Sequence, residues 1–562
     1  MIVELSRSQK SRIAIRSFKT IADALALRGM YRPSGRSGKT LENALRILSP
    51  EIYGTMNDPR SIELKGLEYV LDRLPKGIES CTRIVLTARD EFSQTGFEKI
   101  VPVKRRRISY RVSEDQMCFV ITTGLSEVYD VLTHLTFLNI EAQKVYTQMR
   151  DESGEISVNW KDLEASVRNL DTLKGRELDQ AIWNLSILLG RTYQETRSTY
   201  DYLEEMRTKH QANNGLFQIV YGLAKRVEAG ELDRDKQLAV YFTPSLQDMI
   251  GRHAYGPAWA QVICRTLRDN QLHQRPIHII SANMHSIVNL LYGYAAVCES
   301  SPEKPEGDLY RFLIGLKPKG TLVRDYARRH GFIDLPDTSG MLIDCQIIDM
   351  GKLVDVPFHP DIHLERDNIR NLQPVLLVID YAFGTQAYEA MDELLEQLSN
   401  LCGCQPVKSI SIMGKAGILP GKKGDIMLAT AHVMEGTPHN YLVQNELRKE
   451  DFEGEIGVFV GPMVTVLGTS LQNRDVLERF QTSSWRAIGL EMEGGHYQRA
   501  ISGAIIRGYL APDVKLRYAY YASDNPLVSG QTLSSGSMGD EGIKPTYLIT
   551  KVIIEKIGRQ GG

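Results

Sequence analysis

The sequence predicts an α/β protein in which the C-terminal third forms a three-layer αβα module and the N-terminal region is mostly helical with some strands. Three observations favour this fold class. After residue 370, apolar runs are followed by glycine and then by apolar residues at helical spacing, which is typical of parallel strands joined by crossover helices. Between residues 160 and 270, helical spacing dominates. The length of 562 residues exceeds one ordinary domain, so we expect two or three domains.

Four regions follow from these patterns. They are a mixed α+β region over 1–150, a mainly helical region over 151–270, an α/β connecting region over 271–370 that can pack on the next region, and the αβα module over 371–562. Prolines and glycines between 300 and 320 predict a linker or a long surface loop inside the connecting region.

The composition predicts a soluble, reduced protein of the cytoplasm. The net charge is −2, with 42% hydrophobic and 24% charged residues, so the basicity of a nucleic-acid-binding protein is missing. No apolar stretch reaches the length of a membrane span, and the first residues lack the pattern of a secretory signal. The seven cysteines form no paired C-x-x-C motifs of the zinc type. We interpret the basic run 104–107 as a solvated strand edge or turn, with an anion site as the alternative.

The elements of the first region begin with a helix that ends near Gly29. The segment 33–40 after it ends in Gly-Lys-Thr like a phosphate-binding loop, but Pro33 replaces the leading glycine and no buried strand precedes it. We therefore favour the start of a capped helix there. Nucleotide phosphate binding and a basic loop that reaches a neighbouring active site are the alternatives. Further on, apolar runs predict strands over 83–87 and 117–122 and a helix over 125–142.

The connecting region contains a predicted strand over 276–280, followed by small polar residues and a helix over 287–297. Free amides at such a helix start can bind an anion, with Ser281, Asn283 and Ser286 as further donors. We favour the simpler interpretation, in which Ser281 or Asn283 caps the helix.

Three residues of the connecting region, His359, Asp361 and His363, have the spacing of metal ligands on an extended chain. Prolines flank them and no further ligands cluster nearby, so we predict no metal there. No cofactor is expected from the rest of the sequence.

Two strand-to-loop junctions define the start of the αβα module. The run 375–380 is continuously apolar and ends in an acid, and Gly384 then precedes a helix. The run 409–413 predicts the next strand, which leads into a loop over 414–418. Ligands bind outside the carboxyl ends of parallel strands, and glycine lets backbone amides approach an anion or a water closely. Lys415 in the second loop can contact a phosphate or face solvent.

Acids near the C-terminus give the main clue to function. Glu491-Met492-Glu493 precedes a glycine pair, and Ser523-Asp524 follows the strand-like run 516–522. Carboxylates on neighbouring elements can converge on one ligand, which suits cleavage of a glycosidic bond. One carboxylate accepts hydrogen bonds from sugar hydroxyls, while another, kept protonated by its surroundings, donates to the departing base. The alternative is structural, because acids are frequent in the first turn of a helix and at the start of a turn.

These motifs resemble those of the purine nucleoside phosphorylase and nucleosidase superfamily, and so does their order after the glycines at 414–417 and the Gly-Asp-Ile segment at 424–426. The segment 523–527 most resembles the Ser-Asp-Lys-Pro-Leu segment of bacterial AMP nucleosidases, with Asn525 in place of the lysine. The resemblance covers about 370–560 and implies a nucleoside-phosphorylase-like fold and a homo-oligomer. Residues 1–300 resemble only an uncharacterised family.

By this resemblance, Glu493 binds ribose hydroxyls, Met492 packs against the sugar, and Asp524 assists protonation of a leaving purine. The same resemblance implies further substrate contacts from Glu491, Gly384, Gly414, Lys415, Gly417 and Ser523. The implied partner is a nucleoside or nucleotide, with phosphate as a further small molecule. The loop 381–385 lacks an arginine of the kind that many phosphorylases use for phosphate, so we favour hydrolysis. A phosphate-dependent phosphorylase and a non-catalytic nucleotide sensor are the alternatives.

Overall fold

The computed structural model describes residues 5–105, 107–249, 255–301, 307–403, 405–452, 454, 456–528 and 540–559. These residues fall into two compact units. Unit 1 comprises the described residues within Met1–Arg252 together with Ser470–Val476, and unit 2 comprises those within His253–Thr469 and Leu477–Gly562. Within the described ranges, every helix is too short or too polar to cross a bilayer.

Unit 1 is a mixed α/β unit. Its helices are α1 Arg7–Arg28, α2 Arg36–Leu48, α3 Leu64–Leu71, α4 Leu125–Gln148, α5 Val158–Arg168, α6 Gly175–Leu188, α7 Tyr193–His210, α8 Leu216–Leu232 and α9 Pro244–Met249. Its strands are β1 Met30–Tyr31, β2 Arg83–Thr87, β3 Glu98–Ile100, β4 Ser109–Arg111, β5 Gln116–Val120 and β6 Ala239–Phe242. They form one sheet in the order β1-β6-β2-β5-β4-β3, in which β2 is parallel to both β5 and β6.

The structure confirms the elements that the sequence predicts in unit 1. α1 has Ser6 as its N-cap and ends at Gly29, whose φ of 79° lies in the left-handed region. The segment 33–40 is a helix start, because α2 begins at Arg36. The strand before it, β1, is a two-residue strand at the edge of the sheet and is paired antiparallel to β6. It is therefore not the buried parallel strand that a phosphate-binding loop requires.

The last residue of the basic run 104–107 is buried. Arg107 is 3% exposed, and its guanidinium donates to Glu127 Oε1 at 2.7 Å and to Asp130 Oδ2 at 3.1 Å, both on α4. Burial disfavours the charge on Asp130, but Arg105, His134 and Arg107 outweigh it and hold the pKa of Asp130 well below its usual range. The solvated interpretation is wrong for Arg107, because its compensating acids come from a helix that follows later in the chain, whereas the predicted turn is present at 103–105. Arg106 lies outside the described residues.

Unit 2 contains the αβα module. Its helices are α10 Gly256–Asp269, α11 Ser286–Ser300, α12 Leu309–Ile314, α13 Gly320–Arg329, α14 Arg366–Leu372, α15 Gln386–Cys402, α16 Arg474–Thr482, α17 Gly494–Ile506 and α18 Ile543–Arg559. The first residues of α16 belong to unit 1. The strands of unit 2 are β7 Ile277–Ser281, β8 Phe332–Leu335, β9 Cys345–Asp349, β10 Val375–Ile379, β11 Val407–Ile418, β12 Ile426–Met434, β13 Asn440–Leu442, β14 Val458–Thr465, β15 Gly489–Glu491 and β16 Lys515–Asp524.

The sheet of unit 2 combines an open arm with a closed ring. The arm runs β8-β9-β10-β7-β11, with β7 parallel to both β10 and β11. The ring runs β11-β16-β12-β14-β15 and returns to β11, where β15 pairs antiparallel. Because β7, β10, β11 and β16 run in the same direction, their carboxyl ends meet at one edge of the sheet.

Helices cover both faces of this sheet. Along β10, Val375, Leu377 and Ile379 pack into the core that contains α10, α15 and α17, whereas Leu376 and Val378 pack into the core that contains α11, α13 and α18. A strand buried on both faces has no polar alternation, which explains the continuous apolar run in the sequence. The α/β class with a three-layer αβα module is thus confirmed.

One predicted loop of unit 2 is wrong, and part of a second is helical. The residues 414–418 continue the strand β11 instead of leaving it, because they pair with β16 and, at the last two positions, with β15. In the predicted loop over 300–320, the helix α12 begins after Asp308, whose side chain accepts the backbone N–H of Tyr310 and Arg311. The prolines Pro302 and Pro305 lie outside the described residues.

Candidate active site

Glu491, the last residue of β15, is 5% exposed, and both of its carboxyl oxygens accept hydrogen bonds from the protein. Oε1 accepts from the Thr465 hydroxyl at 2.5 Å and lies 3.2 Å from His432 Nδ1. Oε2 accepts from the backbone N–H of Glu493 at 2.6 Å and from that of Gly494. Burial raises the pKa of Glu491, but the bonds from His432, Thr465 and Gly494 outweigh burial, and the net effect is a lowered pKa. The ionised Glu491 carboxylate therefore stabilises the start of α17 through its hydrogen bonds from the backbone of Glu493 and Gly494.

The glycine pair at the start of α17 is required by close packing. A Cβ on Gly494 would overlap the Tyr520 hydroxyl and the His432 ring, and a Cβ on Gly495 would overlap the Thr465 side chain. The first turn of α17 therefore lies directly against β12, β14 and β16. This packing, together with the Glu491 carboxylate, sets where the residues before the helix can point.

Glu493 precedes the first residue of α17, and its carboxylate reaches the end of β10. Its Oε1 accepts the backbone N–H of Gly384 at 3.0 Å. Gly384 has a φ of 54°, a left-handed conformation that glycine adopts without strain. The contact places the Glu493 carboxylate at the carboxyl edge of the sheet, one turn before the buried Tyr497.

Two tyrosines complete this part of the edge, and no sequence motif indicated a role for either. The Tyr497 hydroxyl lies 3.2 Å from the Ser281 hydroxyl at the end of β7, and the Tyr381 hydroxyl hydrogen-bonds Asn283. Asn283 Oδ1 also accepts the backbone N–H of Ser286, the first residue of α11, at 2.8 Å, although His285 and not Asn283 occupies the N-cap position. The position of Tyr381 directly after a buried strand is the sequence feature that could have indicated it.

Asp524, the last residue of β16, is 7% exposed and has one bonded and one unbonded oxygen. Oδ1 accepts from the Ser523 hydroxyl at 2.5 Å, while the buried Oδ2 has no hydrogen-bond partner among the described residues. Burial raises the pKa of Asp524, and Ser523, Lys415 and Lys423 offset only part of this rise. Its carboxyl group is therefore protonated more readily than that of an ordinary aspartate.

The residues that we predicted to form a loop lie on β11 beside Asp524. Gly417 is aligned with Asp524 across the strand pair, next to an irregularity between Ala416 and Gly417, and Lys415 is aligned with Tyr521. The Lys415 side chain is exposed and makes no hydrogen bond or ion pair within the described part of the chain, yet its charge acts on Asp524.

Gly414 on β11 lies near the Tyr381 ring. A Cβ at this position would be 3.7 Å from that ring, which is ordinary van der Waals contact. Tyr381 in turn experiences the charge of Glu493.

Three other residues of the two acid motifs are held within the protein. Met492 is 8% exposed, and the Ser523 hydroxyl also lies 3.2 Å from the carbonyl of Ala416. Asn525 donates to the carbonyls of Leu419 at 3.2 Å and Gly421 at 2.8 Å. The residue that replaces the lysine of the similar motif therefore connects the segments that follow β11 and β16.

The predicted metal-like triplet is engaged in local contacts. His359 is buried, and its Nδ1 accepts the backbone N–H of Asp361 at 3.2 Å, while the backbone N–H of His363 donates to Glu555. The described residues contain no group of three or more histidine, cysteine or acidic side chains arranged to hold a metal ion. That His359, Asp361 and His363 bind no metal stays a prediction.

Unit 2 is an αβα module with two carboxyl groups near one edge of a mixed sheet. The chain belongs to the family described as a family of unknown function (DUF6909), which it matches over residues 39–301 and 317–559. No curated protein sequence matches it.

Several solved structures are similar over about half of the chain. Isoform 2 of uridine phosphorylase from Schistosoma mansoni is 14% identical over 52% of this chain and 88% of its own, with a TM-score of 0.32. The 5'-methylthioadenosine/S-adenosyl homocysteine nucleosidase of Campylobacter jejuni is 11% identical over 51% and 99%, with a TM-score of 0.30. A futalosine hydrolase mutant of Helicobacter pylori is 14% identical over 50% and 98%, with a TM-score of 0.29. At these values the likeness transfers no activity to this chain.

Proposed function

We propose that unit 2 hydrolyses the N-glycosidic bond of a purine nucleoside or nucleotide. The observation that carries this proposal is the buried Asp524 carboxyl group, whose Oδ2 has no partner among the described residues and whose pKa is raised by burial. A carboxyl group whose pKa is raised keeps its proton more readily than an ordinary aspartate, and the protonated form can act as an acid. Glu493 at the same edge supplies a second carboxylate, held at its Oε1 by Gly384.

The proposed reaction is an acid-assisted hydrolysis at C1' of the sugar. The bond between C1' and the purine nitrogen breaks, its electron pair goes to the base, and Asp524 Oδ2 gives its proton to a ring nitrogen of that base. The oxygen of a water adds to C1' and releases a proton to solvent, and a second solvent proton restores Asp524. Glu493 accepts hydrogen bonds from the ribose hydroxyls, which strengthen as positive charge develops on the sugar.

The position of Lys415 favours a substrate that carries an anionic group. Lys415 is an exposed cation beside Asp524 without an ion-pair partner in the described residues. A 5'-phosphate on the substrate would suit such a cation. A free phosphate that attacks C1' would suit it equally, so phosphorolysis is the second candidate for this site.

The test is chromatography of free base after incubation with AMP and with purine nucleosides, each with and without phosphate. Base release that does not depend on phosphate supports hydrolysis. Release that requires phosphate, with ribose 1-phosphate as the other product, establishes phosphorolysis instead. Tight nucleotide binding without base release across the panel would overturn both and favour a nucleotide sensor.

A further inference from the structure

We propose that His432 and Thr465 are positioning residues that fix Glu493 by way of the Glu491 carboxylate. This inference rests on the proposed function, because it gives the two residues a role in the reaction of the same site. Neither residue is part of the acid motifs, and His432 lies 59 residues before Glu491 in the chain.

A continuous path of hydrogen bonds connects His432 and Thr465 with the backbone of Glu493. His432 Nδ1 and the Thr465 hydroxyl both meet Glu491 Oε1, at 3.2 and 2.5 Å. A carboxylate only accepts, so His432 carries its proton on Nδ1 in this arrangement. Glu491 Oε2 then accepts the backbone N–H of Glu493 at 2.6 Å. Two side chains on β12 and β14 are in this way joined to the backbone of the residue that is to hold the sugar.

The side chains of His432 and Glu491 on this path are buried. His432 is 0% exposed and Glu491 is 5% exposed, so solvent is poorly placed to replace a lost donor. Removing one partner of a buried, hydrogen-bonded charge leaves the other unsatisfied, which is more costly than losing an exposed bond. Without His432 or Thr465, Glu491 is expected to relax and to release the Glu493 backbone from its present place.

The His432 ring also packs closely against the start of α17. The His432 ring lies so close to Gly494 that a Cβ there would overlap it, and it packs against Tyr518 with ring centroids 4.9 Å apart. A change of this ring therefore also changes the support under the first turn of α17. Because misplacement of a substrate-binding group by about 1 Å can cost roughly 10²-fold in rate, a small shift is sufficient.

His432 does not act on substrate directly. Its Nδ1 is engaged by Glu491, and its buried Nε2 has no hydrogen-bond partner among the described residues. Its ring neighbours include Tyr518 and Tyr520, whose hydroxyls are likewise buried and unpartnered in the described structure. The side chain reaches Glu493 only through Glu491, which is the definition of a positioning role.

The experiment compares His432→Phe and Thr465→Val with wild type on a ribonucleoside and on its 2'-deoxy analogue. We expect kcat/KM for the ribonucleoside to fall by about 10- to 100-fold. The fall should be smaller for the deoxy analogue, which lacks a hydroxyl that Glu493 binds. His432→Asn keeps a donor near the position of Nδ1 and should restore most of the activity.

Two comparisons separate this role from a general loss of structure. Tyr518→Phe removes a buried hydroxyl beside His432 without breaking a bond to Glu491 and should leave activity unchanged. Combining His432→Phe with Glu493→Gln should cost little more than Glu493→Gln alone, because both act on one contact. If His432→Phe fails to fold, Thr465→Val and His432→Asn carry the test.

The outcomes are distinct. Equal losses on both substrates, or additive losses in the double variant, would overturn the positioning role while the proposed function stands. A wild-type protein that releases no base from any substrate would overturn the proposed function and, with it, the role of His432 and Thr465.

Discussion

The carboxyl group of Asp524 differs from an ordinary aspartate because one of its oxygens is buried without a partner in the described residues. Asp524→Asn keeps the shape and the hydrogen bond from Ser523 but has no proton to transfer. We expect turnover to fall by about 10²- to 10⁴-fold with KM little changed, because general acid catalysis contributes on this order. Steady-state kinetics of base release checks this expectation.

The control for Asp524→Asn is Asp513→Asn, the same substitution at an exposed residue before β16. It should leave turnover unchanged. An Asp524→Asn variant that is as fast as wild type would show that another group protonates the base.

The same substitution should change the dependence of stability on pH. Burial raises the pKa of Asp524 in the folded state, so the folded protein binds this proton more tightly than the unfolded chain does. Wild type therefore loses stability as the pH rises from the ordinary aspartate pKa of about 3.9 through the raised value, and the loss persists above it. Asp524→Asn lacks this loss.

The midpoint of thermal unfolding should therefore be higher for Asp524→Asn than for wild type at neutral pH. The two midpoints should converge in acid, where wild-type Asp524 is protonated in both states. A series of thermal melts across pH measures this difference. A variant that is less stable than wild type at neutral pH would contradict the assigned effect of burial.

At the scale of single residues, the sequence predicts positions that depend on neighbouring residues in the chain. Asp524 is predicted to end a strand and does so, because an apolar run directly precedes it. The partners of Glu491 could not be predicted, since His432 and Thr465 lie 59 and 26 residues away on other strands. No helical or strand period connects such distant positions. The catalytic and binding roles of Glu493, Asp524 and their neighbours stay predictions.

At the scale of elements, the start of α17 gives a sharp test. Gly494→Ala places a methyl group against the Tyr520 hydroxyl and the His432 ring. We expect a loss of unfolding free energy of about 1–3 kcal/mol, typical of an overpacked core. Denaturant unfolding measures it.

The matched control is Gly503→Ala in the same helix, where the nearest atom to a Cβ would be an Arg507 nitrogen at 3.8 Å. This variant should gain up to about 1 kcal/mol, because alanine favours helix over glycine. Equal effects of the two substitutions would mean that helix propensity, and not close packing, explains the glycine at 494.

The strand β11 shows why elements are only partly predictable. Glycines and a lysine at 414–417 are typical of a loop, yet these residues remain in the sheet because β16 and β15 flank them. Pairing with distant strands overrides local preference here. The strand β7, in contrast, is predicted within one residue of its observed bounds, but its position between β10 and β11 depends on partners that follow later in the chain.

At the scale of the whole molecule, the segment Ser470–Val476 is part of unit 1, although the chain on both sides of it belongs to unit 2. Asn473 within it is 3% exposed, and its amide donates to the carbonyls of Leu48 at 2.8 Å and Ser49 at 3.2 Å. Asn473→Ala should therefore lower the local stability at the end of α2 by about 1–3 kcal/mol, since the buried carbonyl of Leu48 and the part-buried carbonyl of Ser49 lose their donor.

Hydrogen exchange of the amides in α2 measures this effect, and Asn270→Ala at the exposed end of α10 is the control. Faster exchange in α2 for Asn473→Ala alone is expected. Unchanged exchange in both variants would show that the segment contributes nothing to the stability of unit 1.

The placement of Ser470–Val476 also determines the order in which the protein can be completed during translation. The first 252 residues leave the ribosome long before this segment is synthesised. Unit 1 therefore cannot form the hydrogen bonds from Asn473 to the Leu48 and Ser49 carbonyls until most of unit 2 has been synthesised. A gene fragment cut at the boundary between the units would never supply the missing piece. Completion of the earlier unit is thus timed by the synthesis of the later one.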